Sequence, residues 1–139
     1  MERLDNAKAP EACKKAVQSF GGLISQRNKA AFNALFSYLK DLPPPTTVEQ
    51  THLRIEILRQ LKFTLNFQKK LALLLVKDLF RTPSNNTTRG WYIAVFRFFE
   101  DSSADIAVEA LAPMLGSPQF SYRIKKRVKM ILEQVNDYW

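Results

Sequence analysis

The stretch FSYRIKKRVKMILEQVNDYW (residues 120–139) decides how the rest of the chain is interpreted. Its apolar residues recur every three or four positions, which is the spacing of one face of an α-helix: Phe120, Ile124, Val128, Ile131, Val135 and Trp139. Ser117 and Pro118 are suited to the start of this helix, because serine caps helix N-termini and proline is tolerated in the first turn. The pattern therefore predicts an amphipathic helix that packs against a core.

The same spacing recurs along the chain and predicts about seven helices joined by short turns. Their apolar stripes fall within residues 12–20, 32–39, 46–65, 67–80, 91–101, 103–115 and 118–139, with the third helix starting at Thr46 or Thr47 and the sixth capped by Ser102 or Ser103. Residues 91–101 (WYIAVFRFFED) also have the aromatic and β-branched content of a buried strand. We assign them to a helix because no second strand is available to pair with them.

Length and composition indicate a single all-α domain over residues 1–139. A chain of 139 residues is the size of one domain. Its hydrophobic content of 46% is enough for a continuous core. We therefore expect about seven helices in antiparallel pairs around one core.

The order of the helices suggests a repeat. The second, fourth and sixth predicted helices begin near residues 26, 66 and 103, so a helix pair recurs roughly every 40 residues. The segment 103–135 contains a helix, a tight turn and a second helix with basic residues early on, and it resembles a HEAT or armadillo repeat. The resemblance implies a short HEAT-like solenoid that presents a concave surface to partners. A compact helical bundle fits the same helices.

The sequence predicts no catalytic, cofactor or metal site. The single cysteine, Cys13, and the single histidine, His52, are too few to form a structural zinc site. Gly21-Gly22 lacks the following Gly-Lys-Ser/Thr of a phosphate-binding loop. A catalytic His52 would need a nucleophile and an orienting acid, and nothing in the sequence marks them. We expect a protein that is not an enzyme.

The densest acidic group, Glu100, Asp101 and Asp105, has a structural explanation. Asp105 falls in the first turn of a predicted helix, where negative charge is favoured. Arg97 is the only charge between Gly90 and Phe99, so we expect it to pair with Glu100 or Asp101.

The chain carries no predicted membrane span and no secretory signal. Its longest apolar run, LALLLV (71–76), is far shorter than the ~20 residues that a spanning helix needs. The first fifteen residues lack the apolar segment of a secretory signal. Cys13 alone forms no intrachain disulfide, as is usual in a reducing compartment. We expect an intracellular protein, cytoplasmic or nuclear.

Positive charge is the strongest functional signal. The formal net charge is +8, and a surplus of this size favours polyanionic partners. Most of the cations in the last predicted helix lie in its N-terminal half, where the helix dipole disfavours them, so local helix stability does not explain their position. Further cations include Arg54, Arg59, Lys62, Lys69 and Lys70, and stacking of the helices in register would align some of them into one basic face.

These observations lead to one functional hypothesis and one alternative. We expect a helical protein–protein interaction module, or scaffold, whose basic face binds a protein partner such as an acidic segment. The alternative is a domain that binds nucleic acid through phosphate contacts from the same helix. A third option is an accessory subunit of an enzyme. The same cations also fit a solvated helix face without a partner. The candidate partner-binding residues are Tyr122, Arg123, Lys125, Lys126, Arg127 and Lys129.

Overall fold

The computed structural model describes residues 29–62 and 67–138. Within these ranges all regular secondary structure is helical and no strand is present. The six helices are α1 (Lys29–Asp41), α2 (Val48–Leu61), α3 (Gln68–Phe80), α4 (Arg89–Glu100), α5 (Ala104–Leu115) and α6 (Tyr122–Tyr138). The all-α prediction is confirmed, including the helical assignment of residues 91–101. The helix predicted at residues 12–20 lies outside the described residues.

The helices contact one another in a regular order. α1 packs on α2, α3 on α4, and α5 on α6. In addition, α1, α3 and α5 contact one another in succession, as do α2, α4 and α6. α3 and α4 therefore contact both earlier and later helices, and they lie at the centre of this network.

Aromatic side chains fill much of the core. α4 turns six large side chains inward: Trp91, Tyr92, Val95, Phe96, Phe98 and Phe99. Phe32 of α1 stacks on Phe67 with 4.5 Å between ring centroids. Burying each large side chain stabilises the fold by roughly 1.5–3 kcal/mol, which makes these rings a main source of stability. Packing in the core therefore accounts for these aromatic residues.

The starts of α2 and α6 are marked by side-chain caps. Thr47 Oγ1 accepts a hydrogen bond from the Gln50 amide at 3.1 Å, so α2 begins as predicted. The predicted start of the last helix at Pro118 is wrong, because α6 begins at Tyr122. Ser121 Oγ accepts the Ile124 amide at 3.3 Å and acts as the cap. The residues before it form a turn that buries Phe120.

Candidate binding surfaces

The cations of α6 and the tyrosine beside them form a surface that we name the terminal basic cluster. Its members are Tyr122, Arg123, Lys125, Lys126, Arg127 and Lys129. Val128, Ile131 and Val135 are at most 1% exposed, and they fix which face of α6 points to the core. The cluster consequently faces outward: Lys125 is half-buried, and the other cations are exposed. Tyr122 is 79% exposed.

Most of the charge in the terminal basic cluster is unpaired. Arg127 forms an ion pair with Glu100 of α4. Among the residues that the structure describes, the other four cations of the cluster have no ion pair. Within that part of the chain, no carboxylate neutralises their charge.

The ion pair expected between Arg97 and Glu100 or Asp101 is not formed. Arg97 is exposed on α4 and makes no ion pair with Glu100, Asp101 or any other described residue. α4 directs its aromatic face to the core and Arg97 to solvent, where water solvates the guanidinium. The prediction that Arg97 needs an acidic neighbour is wrong for that reason.

A buried polar network centred on Asp78 is the feature that the sequence analysis missed. Asp78 is 1% exposed, and its Oδ2 accepts from Arg54 Nε at 3.0 Å and from Trp91 Nε1 at 2.7 Å. Its Oδ1 accepts from Arg81 Nε at 2.7 Å. Arg54 is also 1% exposed, so the prediction that it extends a basic face is wrong. The signal was present in the sequence, because Asp78 shares a helical face with Leu71 and Leu75.

The network continues into the backbone around it. Arg54 Nη2 donates to the carbonyl oxygen of Pro43 at 2.7 Å, in the turn between α1 and α2. Tyr92 Oη donates to the carbonyl oxygen of Thr82 at 2.6 Å. Burial, and to a lesser extent the negative charge of Asp78, raises the pKa of Tyr92 to about 12. Since donors occupy both Asp78 oxygens, this carboxylate is a structural link between helices and not a free base.

α1 and α3 border a second surface, which we name the basic groove. It has a volume of about 360 Å³ and combines apolar and positively charged side chains: Phe36, Lys40, Lys70, Leu73, Leu74, Lys77 and Arg81. Leu73 is 41% exposed, an unusual state for a leucine on a central helix. Lys70 Nζ lies 4.6 Å from the centroid of the Phe36 ring, at cation–π distance.

The charge of the basic groove is strongly one-sided. Lys40, Lys70 and Lys77 make no ion pair with any residue in the described ranges. Among the described residues, Asp78 is the one carboxylate that lines the groove, and it is buried and already pairs with Arg54 and Arg81. The groove thus presents an apolar surface beside uncompensated positive charge.

A third surface, between α2 and α4, has a more balanced charge. This cavity of about 440 Å³ is lined by Ile55, Leu58, Arg59, Lys62, Gln68, Ala94, Arg97, Phe98 and Asp101. Asp101 contributes a negative charge, and Arg59 lies 3.8 Å from the carboxylate of Glu56. It is therefore a weaker candidate for an acidic partner than the basic groove.

Neither a group of metal ligands nor a membrane-spanning helix is found in the described residues. In the ranges 29–62 and 67–138, no three His, Cys, Asp or Glu side chains are grouped to hold a metal ion. His52 is exposed on α2. No helix in this part of the chain combines the length and the apolar character needed to cross a membrane.

No protein-family model, curated protein or solved structure matches the chain significantly. The resemblance to HEAT and armadillo repeats therefore stays a prediction. Functional inference rests on the terminal basic cluster and the basic groove.

Proposed function

We propose that this protein is a non-enzymatic helical interaction module that binds an acidic segment of a protein partner. The observation that carries the proposal is the unpaired charge of the terminal basic cluster, where Arg123, Lys125, Lys126 and Lys129 have no ion pair in the described part of the chain. Unpaired cations on one helix attract an acidic partner and accelerate its association. Exposed Tyr122 adds an aromatic contact surface beside them.

We also propose that the helices form antiparallel pairs stacked as a short HEAT-like solenoid. The order of contacts supports this arrangement, since α1, α3 and α5 form one row and α2, α4 and α6 form another. Such arrays bind partners along extended surfaces and need no reactive side chains. The proposed site of action is the cytoplasm or nucleus, where Cys13 would remain reduced.

One observation favours nucleic acid as the alternative partner. Tyr122 is 79% exposed and lies next to Arg123. An exposed aromatic ring beside cations is suited to stack on an unpaired base while the cations contact phosphates. The experiment must therefore separate protein from nucleic acid.

The test compares two triple variants that have the same net charge. The first replaces Lys125, Lys126 and Lys129 with glutamine. The control replaces Lys29, Lys62 and Arg89 with glutamine, three exposed cations outside α6 that also lack an ion pair with described residues. Each variant and the wild type are used to capture partners from a cell lysate, with and without nuclease.

We expect the wild type and the control to capture the same proteins, and the first variant to lose them. Persistence of the capture after nuclease supports a protein partner, whereas its loss after nuclease supports the alternative. Equal capture by both triple variants would show that the terminal basic cluster is only a solvated surface.

A further inference from the structure

We infer that the basic groove between α1 and α3 is a second binding site, which takes an acidic amphipathic helix from a partner protein. The site differs from the terminal basic cluster in its residues and in its chemistry, because it combines charge with an apolar surface. Two exposed or partly exposed apolar side chains, Leu73 and Phe36, are available to contact apolar residues of a partner.

The dimensions of the groove suit a helix. On α3 and at its C-cap, the groove residues run from Lys70 to Arg81, which corresponds to about 16 Å along the helix axis. On α1, Phe36 and Lys40 are one helical turn apart. A surface of this length covers about three turns of a bound helix, which would place apolar residues at positions i, i+3, i+4 and i+7 in the groove.

Charge complementarity specifies the partner. Lys40, Lys70 and Lys77 lack ion pairs within the described residues, so carboxylates that flank the apolar face of a bound helix would meet unpaired cations. Like-charged partners are excluded by the same field. The groove therefore selects an amphipathic helix whose polar positions are acidic.

The chain itself does not supply such a segment at its N-terminus. Residues 1–28 carry five cations and three acids, and the whole chain has a net charge of +8. Both this segment and a second copy of the protein would bring further positive charge to the groove. An acidic helix from another protein is the occupant that the charges favour.

The buried network prepares one cation of the groove for binding. Arg81 Nε is held 2.7 Å from Asp78 Oδ1, and Arg81 Nη2 lies 3.4 Å from the carbonyl oxygen of Leu39. The Arg81 side chain nevertheless remains 37% exposed, and Nη1 donates to no described residue. Because its conformation is already fixed, Arg81 would lose little entropy on binding a carboxylate.

The experiment measures binding of a defined probe to the full chain. The probe is a fluorescent peptide of about four helical turns, with leucine at i, i+3, i+4 and i+7 and glutamate or glutamine elsewhere. A control peptide has serine in place of each leucine. Fluorescence anisotropy gives the affinity of each peptide for the wild type and the variants, and circular dichroism verifies that each variant is folded.

We expect Leu73→Asp and Lys77→Glu each to weaken binding of the leucine peptide by about tenfold or more. Both side chains are exposed, so neither change disturbs the core. The matched control, Arg89→Glu at the start of α4, should change the affinity less than about twofold, because Arg89 is exposed and belongs neither to the basic groove nor to the terminal basic cluster. The serine peptide should bind much more weakly than the leucine peptide.

Three results would overturn the inference. One is no measurable binding of the leucine peptide by the wild type. Another is an equal loss of affinity in Arg89→Glu and Lys77→Glu, which would indicate nonspecific charge attraction. The third is cross-linking of a photoreactive residue at position 73 to residues 1–28 or to a second copy of the protein, and not to the peptide.

These assays test the basic groove and the terminal basic cluster independently of each other. Loss of peptide binding in Leu73→Asp, with cluster-dependent capture from lysate retained, supports a separate groove site. If the peptide does not bind while that capture persists, only the groove inference is wrong.

Discussion

Arg54 of α2 and Asp78 of α3 form an ion pair in the interior, with 3.0 Å between Arg54 Nε and Asp78 Oδ2. Removing two charges from water costs several kcal/mol per ion, so a pair in this position needs further hydrogen bonds to be tolerated. Trp91 and Arg81 donate hydrogen bonds to Asp78, and Arg54 donates one to the carbonyl oxygen of Pro43. The pair consequently links α2, α3, α4 and the turn after α1.

Replacing Asp78 with asparagine should destabilise the protein by about 3–5 kcal/mol. The change leaves Arg54, 1% exposed, without its buried counter-charge, and it introduces an amide that can donate where the carboxylate only accepts. Urea denaturation followed by circular dichroism measures the loss. Asp105→Asn is the control, because Asp105 is an exposed acid that accepts from Ser103 Oγ at 2.6 Å, and it should change stability little. Equal stability of the two variants would contradict the network.

The raised pKa of Tyr92 predicts a loss of stability at alkaline pH. Burial and the charge of Asp78 raise its pKa from 10.0 to about 12, so the native state retains this proton when the unfolded state has released it. The free energy of unfolding contributed by Tyr92 is therefore complete below pH 10 and falls as the pH rises to about 12. The total is on the order of 3 kcal/mol.

Tyr92→Phe isolates this contribution from that of other titrating groups. The difference in stability between the wild type and the variant should shrink between pH 10 and about 12, as measured by urea denaturation at each pH. A difference that is constant across this range would show that Tyr92 titrates alike in both states.

The sequence predicted what depends on local periodicity. The stripe of Val128, Ile131 and Val135 is buried on α6, and the aromatic run from Trp91 to Phe99 is helical and turned inward. These features follow from a single physical requirement, which is that each helix buries one apolar face.

Features that depend on how helices meet were not predicted. Asp78 and Arg54 are 24 residues apart in the sequence, and nothing in the spacing of either helix shows that they face each other. The basic groove likewise requires α1 and α3 to be neighbours. Lys69 and Lys70 were predicted as parts of one basic face, yet Lys69 pairs with Glu109 of α5 while Lys70 lies over Phe36 of α1.

The start of α6 can be tested by removing single hydroxyl groups. Ser121→Ala should cost about 0.5–2 kcal/mol, because Ser121 Oγ accepts the Ile124 amide at the first turn of the helix. Ser117→Ala should cost less, since Ser117 lies in the preceding turn and not at the cap. Thermal unfolding of the two variants ranks the costs. A larger loss of stability in Ser117→Ala than in Ser121→Ala would support the predicted helix start at Pro118.

Replacing Lys125, Lys126 and Lys129 with glutamine should leave the thermal midpoint almost unchanged. None of the three has an ion pair with a described residue, and solvated charges of this kind contribute under ~1 kcal/mol each. Ile131→Ala on the same helix should instead cost about 2–5 kcal/mol, because Ile131 is 1% exposed. Differential scanning calorimetry distinguishes the two effects.

The same triple variant should also change how binding responds to salt. Each cation that contacts a partner phosphate contributes about one unit to the slope of log K against log salt, so loss of three contacts lowers the slope by up to about three. Binding of an acidic protein partner would also weaken with salt, because ions screen its carboxylates in the same way. Nuclease would leave that complex intact. An unchanged affinity and an unchanged slope in the triple variant would place the partner elsewhere, with the basic groove as the next surface to test.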